Sequence, residues 1–420
     1  MKYFLLAIAL CYSSVYINAQ VTGCPDPAAN NYNSAATIND GSCTYNNITL
    51  KPKSLYNFSS TLDETSGLAW WKKLVFTFND SGGEAALYVV NTSTNTIQRK
   101  IVISNAKNVD WEDITQDSKY FYIGDMGNNA HGNRKDLKIY RVSKSAINLK
   151  DTITASVINF SYEDQTDFTP QPNNNTDFDC EALIAYKDSL FLFSKNWITN
   201  KTRLYKLPKK PGTYTAIKIG ELDVQGLITG AEIVAAKRTI VLTGYTSLLQ
   251  PFIYLLYDFS GNNFFDANKR KIILSESFTQ TEGICAKSST TFLISNEHFS
   301  RFGINTPAKL EQLSLGTYLN PYYHTLSTTK TSNAVITTIN ENITSFATVT
   351  AMPDKLNIKR NLFSANKMIV QIFDVNGRVK YSNVMHSSML NVDISQLPPG
   401  IYFTKVFMKN NRLEKKFVVQ

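Results

Sequence analysis

A segment of about 50 residues recurs along the middle of this chain, and that recurrence restricts the fold more than any other feature. Between residues 47 and 315 an acidic residue beside small or apolar neighbours opens an apolar run five times. The five openings are Asp63-Glu64-Thr65-Ser66-Gly67-Leu68, Trp111-Glu112-Asp113-Ile114, Cys180-Glu181-Ala182-Leu183, Ala231-Glu232-Ile233-Val234 and Thr281-Glu282-Gly283-Ile284. Their glutamates are separated by 48, 69, 51 and 50 residues. Two further apolar runs follow each opening, at 74–78 and 87–90 in the first repeat and at 190–193 and 204–207 in the third. Four repeats add a fourth run of β-branched and aromatic residues, at 98–103, 156–160, 216–219 and 271–274. Runs of this length and type are strands. Four strands at this period predict a β-propeller over residues 47–315. The fifth repeat lacks a fourth strand, and residues 48–58 can supply it from the N-terminal side, which closes the ring and removes its open edges. The count is five blades, or six if the long second repeat hides another. Residues 165–177, full of Asn, Pro and Asp, read instead as a loop.

The flanks are of different character. Residues 1–19 combine Lys2, an apolar stretch over 4–17 and Asn18-Ala19 before Gln20, the pattern of a signal peptide cut after Ala19. That stretch is too short to span a membrane, and no later one reaches about 18 apolar residues, so no transmembrane segment is expected. Residues 20–46 are mostly turn formers between Cys24 and Cys43. With almost no apolar content they need a disulfide as their staple, which fits an oxidising compartment. Cys180 and Cys285 lie in apolar strands and read as buried thiols. Residues 316–345, rich in Thr, Ser and Asn, read as a linker. Residues 346–420 hold further strands around an Asn376-Gly377 hairpin turn and predict a small immunoglobulin-like β-sandwich. The formal charge of +9 is scattered, with no basic run interleaved with aromatics, so nucleic acid is not an expected partner.

Three segments resemble known families. Ile372-Phe373-Asp374-Val375-Asn376-Gly377-Arg378, Val392-Asp393-Ile394-Ser395-Gln396-Leu397, Pro399-Gly400-Ile401-Tyr402-Phe403 and the terminal Lys415-Lys416-Phe417-Val418-Val419-Gln420 resemble the type A sorting domain of the Bacteroidetes type IX secretion system. That resemblance implies export by the type IX machinery to the medium or the outer cell surface, with cleavage of the domain and surface attachment as its usual sequel. Met352-Pro353-Asp354-Lys355-Leu356 stands where the family usually has Pro-Asn-Pro, which leaves the boundary open. The Cys24 to Cys43 module is similar to thrombospondin type 3 calcium repeats. Asp26 and Asp40 are then Ca²⁺ ligands, or the module is a metal-free knot. The central region resembles SdiA-regulated and phytase-like propellers through the Glu64 segment, Asn79-Asp80-Ser81, Asp110-Trp111-Glu112-Asp113-Ile114, Asp125-Met126-Gly127-Asn128-Asn129 with Arg134, and Asp179-Cys180-Glu181. It implies a fold and a metal more than a reaction.

In an antiparallel meander the loop before the first strand and the loop between the second and third emerge on one face. The Glu series therefore meets Asp80, Asp125, Asn129, Arg134, Asn296 and His298 there, and that face is the expected site. If Glu64, Glu112, Glu181, Glu232 and Glu282 point to a common axis, repulsion and desolvation disfavour their ionisation. Ca²⁺ is the cation best suited to such a ring, with Asp125 as a sixth ligand. Two other readings stay open: each Glu accepts backbone N–H bonds from the next blade, or the carboxyls stay protonated without metal. Asp80, Asn129, Arg134 and Asn296 are candidate ligand-binding residues, and Arg134 alternatively pairs with Asp125 or Asp136 in a tight turn. His298 is the candidate general base. These residues suit a surface protein that binds an extracellular ligand at a calcium-supported site. The alternatives are a metal-dependent hydrolase of phosphoesters, lactones or other esters, and an adhesion scaffold without catalysis.

Overall fold

The computed structural model describes residues 20–301, 303–332, 347–351, 354–360, 368–385, 389–408 and 411–419. The expected signal peptide and residues 333–346 of the expected linker lie outside them. The chain is all-β and divides into two compact units, residues 1–323 and 324–420.

The first unit contains five four-stranded antiparallel meanders. The first runs through Thr65–Trp71, Leu74–Asn79, Ala86–Asn91 and Thr96–Ile103. The second and third open with Trp111–Gln116 and Asp179–Tyr186, and a parallel pairing of their fourth strands, Ala155–Tyr162 and Gly212–Asp223, merges them into one eight-stranded sheet. The fourth opens with Leu227–Val234. The fifth takes three strands from Thr281–Ala286, Thr291–Asn296 and Lys309–Ser314 and its fourth, Lys53–Asn57, from the N-terminal side, as expected. The first strands touch one another in cyclic order, the fifth returning to the first.

The core lies between meanders. Phe76, Leu87 and Val89 of the first pack with Trp111, Phe121 and Ile123 of the second. Leu190 and Leu192 of the third face Tyr122 and Ile139 of the second, while Phe191 and Phe193 face Leu242 and Phe252 of the fourth. Leu68 and Val75 of the first meet Leu293 and Leu310 of the fifth. A strand buried on both faces must be apolar at successive positions, and this is why the runs read as continuous and not alternating.

Near the axis the first strands come within backbone contact, and small residues permit it. A Cβ on Gly67 would lie 2.6 Å from the Ile114 nitrogen, one on Gly230 would lie 2.3 Å from the Glu282 carbonyl oxygen, and one on Gly283 would lie 2.3 Å from the Ser66 carbonyl oxygen. Ser66 Oγ donates to the Glu112 carbonyl at 2.5 Å, and Thr229 Oγ1 to the Thr281 carbonyl at 2.5 Å.

Cys24 and Cys43 form the expected disulfide, and Cys180 and Cys285 are buried free thiols. Asp26 is buried and accepts the Tyr45 and Tyr257 hydroxyls at 2.7 and 2.5 Å, while Asp40 accepts the Ser42 N–H within its own turn. Asp26 therefore ties the disulfide module to the fourth meander. The expected linker differs from expectation in its first half, which is the helix Gly316–Ser332. Leu315, Leu319, Tyr322 and Tyr323 are buried at helical spacing, a stripe that the surrounding Thr and Ser obscure in the sequence.

The second unit is a sandwich of a three-stranded and a four-stranded sheet. Its core includes Leu356, Ile358, Val370, Ile372, Tyr402 and Val406. Gly377, at φ 77°, makes the hairpin turn after Asp374.

Because a methyl group at Gly283 would press on the Ser66 carbonyl of the neighbouring strand, Gly283→Ala should lower the unfolding free energy by about 2 kcal/mol or more. Urea denaturation followed by tryptophan fluorescence measures it. A midpoint unchanged from wild type would contradict the close axial approach.

Candidate functional site

Each first strand carries a β-bulge at the same level, and a bulge re-aims the side chain it inserts. The register shifts fall at Thr65/Leu68, opposite Gly124/Asp125, at Cys180/Ala182, at Ile228/Gly230 and at Thr281/Ile284. The equivalent residues are thus Ser66, Glu112, Glu181, Thr229 and Glu282, each followed by a member of the close axial ring. Three of the five glutamates picked out by sequence spacing occupy this position, and two do not. Glu64 stands two residues earlier, at the level of Asp110, Asp179 and Gln280, and is exposed. Glu232 stands three residues further along its strand. Its carboxylate accepts the Ile233 N–H at 2.8 Å and the Ala286 N–H of the fifth meander at 3.0 Å.

Glu112, Glu181 and Glu282 line a cavity of about 250 Å³ together with Asp80, Glu297, Lys195, Trp197, Tyr245, Asn129 and Arg301. Carboxylate oxygens of Asp80, Asp110 and Glu112 lie within 4.8 Å of one another, as do those of Glu112, Asp179 and Glu181. Glu112 belongs to both groups. Lys195 Nζ, itself buried, sits 2.5 Å from Glu181 Oε2, with the Trp197 and Tyr245 rings 4.6 and 5.1 Å away. Asp179 is held by Trp197 Nε1 at 2.7 Å and the Asn128 N–H at 2.6 Å. Gly127 packs directly on this group, and a Cβ there, 2.0 Å from Glu112 Oε1 and 2.4 Å from Asp110 Oδ2, would force those carboxylates to move.

Burial and mutual repulsion dominate the electrostatics. Desolvation, then Glu181 and Asp80, push Glu112 well above the usual carboxyl range, and desolvation, then Asp110 and Glu282, do so for Asp80. Asp110 is raised to about 6 by desolvation and Asp179, and Glu282 to about 7 by desolvation against the pull of Lys195. Desolvation opposes the charge on Lys195, but Glu181 and its fellow acids overcome it and hold the ammonium protonated. Buried oxygens without a hydrogen-bond partner gather at the same end: Asn79 Oδ1, Asp80 Oδ1, Asp125 Oδ2 and Asn296 Oδ1. All are acceptors, so a cation or a donor-bearing ligand would satisfy them.

The remaining expected residues fall around this cup in different ways. Asp80 and Asn129 line the cavity, and Asn296 is buried beside it, donating to the Glu297 and Pro307 carbonyls. Arg134 pairs with Asp125 at 2.8 Å and with Asp136 at 3.1 Å and donates to the Gly127 carbonyl, which is the tight-turn arrangement. His298 is exposed, is not among the cavity-lining residues, and has its Nε2 2.8 Å from Asn305 Oδ1. Sequence reasoning put Lys195 and Glu297 on this face without a role, and gave Asp110, Asp179, Trp197 and Arg301 no place in the site. For two of them the signal was present: Asp110-Trp111-Glu112 and Asp179-Cys180-Glu181 repeat an acid two residues before the glutamate.

Residues 352–420 match the model of the secretion system C-terminal sorting domain. That domain places the protein outside the cell, in the medium or on the outer surface. No helix among the described residues is long and apolar enough to cross a membrane. Among curated proteins none matches the chain. Among solved structures, PorZ, a surface component of the type IX secretion system of Porphyromonas gingivalis, is 11% identical over 94% of this chain and 49% of its own, with a TM-score of 0.31. An exo-β-1,3-galactanase from Phanerochaete chrysosporium is 9% identical over 88% of this chain and 99% of its own, with a TM-score of 0.40. A DUF3244 family protein of Bacteroides vulgatus with an immunoglobulin-like β-sandwich is 21% identical over 18% of this chain and 85% of its own, with a TM-score of 0.17. Likenesses this slight carry no functional argument.

Burial raises Glu232 from 4.5 to about 7, against the backbone N–H bonds of Ala286 and Ile233. Between those values the folded chain keeps a proton that the unfolded chain has released, so stability falls as pH rises from about 4.5 to 7. Glu232→Gln should remove up to about 3 kcal/mol of that loss. Urea midpoints at pH 5 and pH 8 measure it, and an unaltered pH slope would refute the assignment.

Proposed function

We propose that this chain is a secreted five-bladed β-propeller whose axial carboxylates hold Ca²⁺, and that the cavity above the ion binds an extracellular ligand. In this reading residues 20–46 are a disulfide module, 47–315 the propeller and 346–420 the sorting domain that the type IX machinery recognises. The cyclic contact of five first strands and the closure by Lys53–Asn57 support the propeller. The observation that carries the ion is Glu112, a carboxylate common to two acidic groups beside the unpartnered Asp80 Oδ1. Two oxygens each about 2.4 Å from one Ca²⁺ stand at most about 4.8 Å apart, so the spacing within either group suits a shared ion. Asp80, Asp110 and Glu112 are the favoured ligands, because Lys195 already neutralises Glu181 in the other group.

Glu112, Asp80 and Asp110 are also not occupied as the blade-pinning reading requires. Among the described residues the acids near the axis that do accept backbone N–H bonds from a neighbouring meander include Asp113, from Leu183 at 2.8 Å and Ala231 at 3.3 Å, Glu232, from Ala286 at 3.0 Å, and Asp179, from Asn128 at 2.6 Å. The hydrolase reading took His298 as its base, and His298 is bonded to Asn305 and is not among the cavity-lining residues, so in that reading a raised carboxyl such as Glu282 would have to serve.

Calcium at about 100 times its dissociation constant should stabilise the folded chain by about 2.7 kcal/mol, a rise of roughly 5 °C in Tm. EDTA should reverse the shift, and Glu112→Gln should abolish it while leaving the circular dichroism unchanged. A melting temperature indifferent to both EDTA and Ca²⁺ raised to about 100 mM would end this reading.

A further inference from the structure

Two sets of loops at the cavity differ in kind. The spacing of 69 residues between Glu112 and Glu181 is the longest of the four, and its extra length is the loop 163–178. That loop is bound along the second meander. Gln165 Nε2 donates to the Gly132 carbonyl at 2.8 Å, the Gln171 N–H to the His131 carbonyl at 2.9 Å and the Asn174 N–H to the Asn129 carbonyl at 2.8 Å. It brings Asn173 and Asn174 to the lining of the cavity, where Asn129 already stands. The loops 246–250 and 275–280, of the fourth and fifth meanders, adjoin the cavity-lining Tyr245 and Gln280. They are joined by the Thr279 N–H on the Leu249 carbonyl at 3.2 Å and by Gln250 Nε2 on the Glu276 carbonyl at 2.7 Å. Leu249 and Phe278 both have a φ of 56°. Few residues other than glycine take this left-handed backbone, and strain of that kind gathers at binding sites. Leu248, 81% exposed, and Phe278, 45% exposed, make these joined loops an apolar ledge.

Inside the cavity donors and acceptors are mixed. Five acids share the lining with Lys195, Arg301 and four side-chain amides. An anion meets more acids than bases there, and a second cation meets Lys195, Arg301 and the bound Ca²⁺. A neutral ligand dense in groups that both donate and accept is favoured over either. A hydroxyl does both at once, giving its proton to a carboxylate while its oxygen accepts from an ammonium or an amide. Ca²⁺ also takes neutral oxygens beside carboxylates. A peptide backbone supplies one donor and one acceptor per residue, whereas a sugar ring carries several hydroxyls in less volume. The cavity, about 250 Å³, is smaller than the roughly 300–1,000 Å³ of sites for drug-sized ligands and suits a single ring. Two acceptors call for such donors: Asp80 in the lining and Asn296, 1% exposed beside it, each have Oδ1 without a hydrogen-bond partner.

We propose that the cavity takes the terminal sugar of an extracellular glycan, with its hydroxyls among the acids, amides and ion of the cup and the next sugar against Leu248 and Phe278. The inference rests on the reading of this cavity as a ligand site. The C–H faces of a sugar are apolar, so a polar cavity edged by an exposed Leu and Phe matches a glycan better than it matches a small polar solute.

The purified full chain on an array of neutral, phosphorylated, sulfated and amino glycans, in about 10 mM Ca²⁺, tests the proposal. Neutral glycans that share one terminal sugar should bind, and that sugar as a free monosaccharide should compete. Titration calorimetry then compares variants. Asn173→Ala with Asn174→Gly should weaken oligosaccharide and monosaccharide about tenfold, the loss of two hydrogen bonds. Leu248→Ser with Phe278→Asn should weaken the oligosaccharide several-fold more than the monosaccharide, and Asn tolerates the left-handed backbone at that position. All four residues are exposed, so an unchanged Tm verifies the fold of each variant. Binding of no glycan overturns the proposal, as does a neutral glycan whose affinity both variant pairs leave unaltered. Charged glycans alone, weakened by the asparagine pair, keep the cavity as a ligand site and end the choice of a neutral sugar. The calcium reading is scored apart from this, on the Tm of the sugar-free chain in Ca²⁺ and in EDTA. A Ca²⁺ shift with no glycan bound ends only the sugar, and a glycan bound equally well in EDTA ends only the ion.

Discussion

Everything in the first unit depends on how closely five first strands approach one axis. At that level the chain places Gly67, Asp113, Ala182, Gly230 and Gly283, and three of these are glycine because a carbonyl or amide of the next strand occupies the space of a Cβ. Asp113 is the exception that fills the remaining gap. Its buried carboxylate accepts the N–H groups of Leu183 and Ala231, two different meanders, as well as that of Ile114. Backbone groups that cannot pair in a ladder are satisfied by one side chain near the centre. Replacing this ring by larger residues would separate the strands and open the core between every pair of meanders.

The acidic cup follows from the same geometry. A residue inserted one step before the ring is turned by its bulge toward the axis, so whatever the sequence puts there converges. Here it puts Glu112, Glu181 and Glu282, and the second-strand ends add Asp80, Lys195 and Glu297. Convergence of this kind is costly for charge, because each carboxylate loses water and gains like-charged neighbours. Among the described residues the buried cation of the cup is Lys195, bonded to Glu181 and flanked by two aromatic rings, and no ion pair is formed by Asp80, Asp110 or Glu112.

Most of the architecture was legible in the sequence, for a physical reason. Strands buried on both faces give unbroken apolar runs such as Leu190-Phe191-Leu192-Phe193, and five of them at a near-constant period leave little freedom. The register was misread where a single residue type was used as the marker. Aligning on glutamate placed Glu64 and Glu232 with Glu112. Aligning on the small residue that the axis demands would have given Ser66-Gly67 and Thr229-Gly230 instead. The helix Gly316–Ser332 and the hairpin of Phe299–Arg301 with Ile304–Thr306 were missed because local composition, rich in Thr, Ser and Asn, outweighed a few buried contacts.

Location and chemistry of the cup bear on each other. A site in which Lys195 competes for the carboxylates, and in which burial favours their protonated forms, cannot bind a divalent ion tightly, since protons and the ammonium must give way. Inside a cell, at submicromolar calcium, such a site would stay with its protons. Extracellular calcium modules work at dissociation constants on the order of 10⁻⁴ to 10⁻³ M. A cup that holds Ca²⁺ as proposed is therefore suited to a chain that carries an export address, and residues 352–420 match the model of such a domain. The two units need no contact with each other for this dependence to hold, because one determines the medium in which the other can be filled.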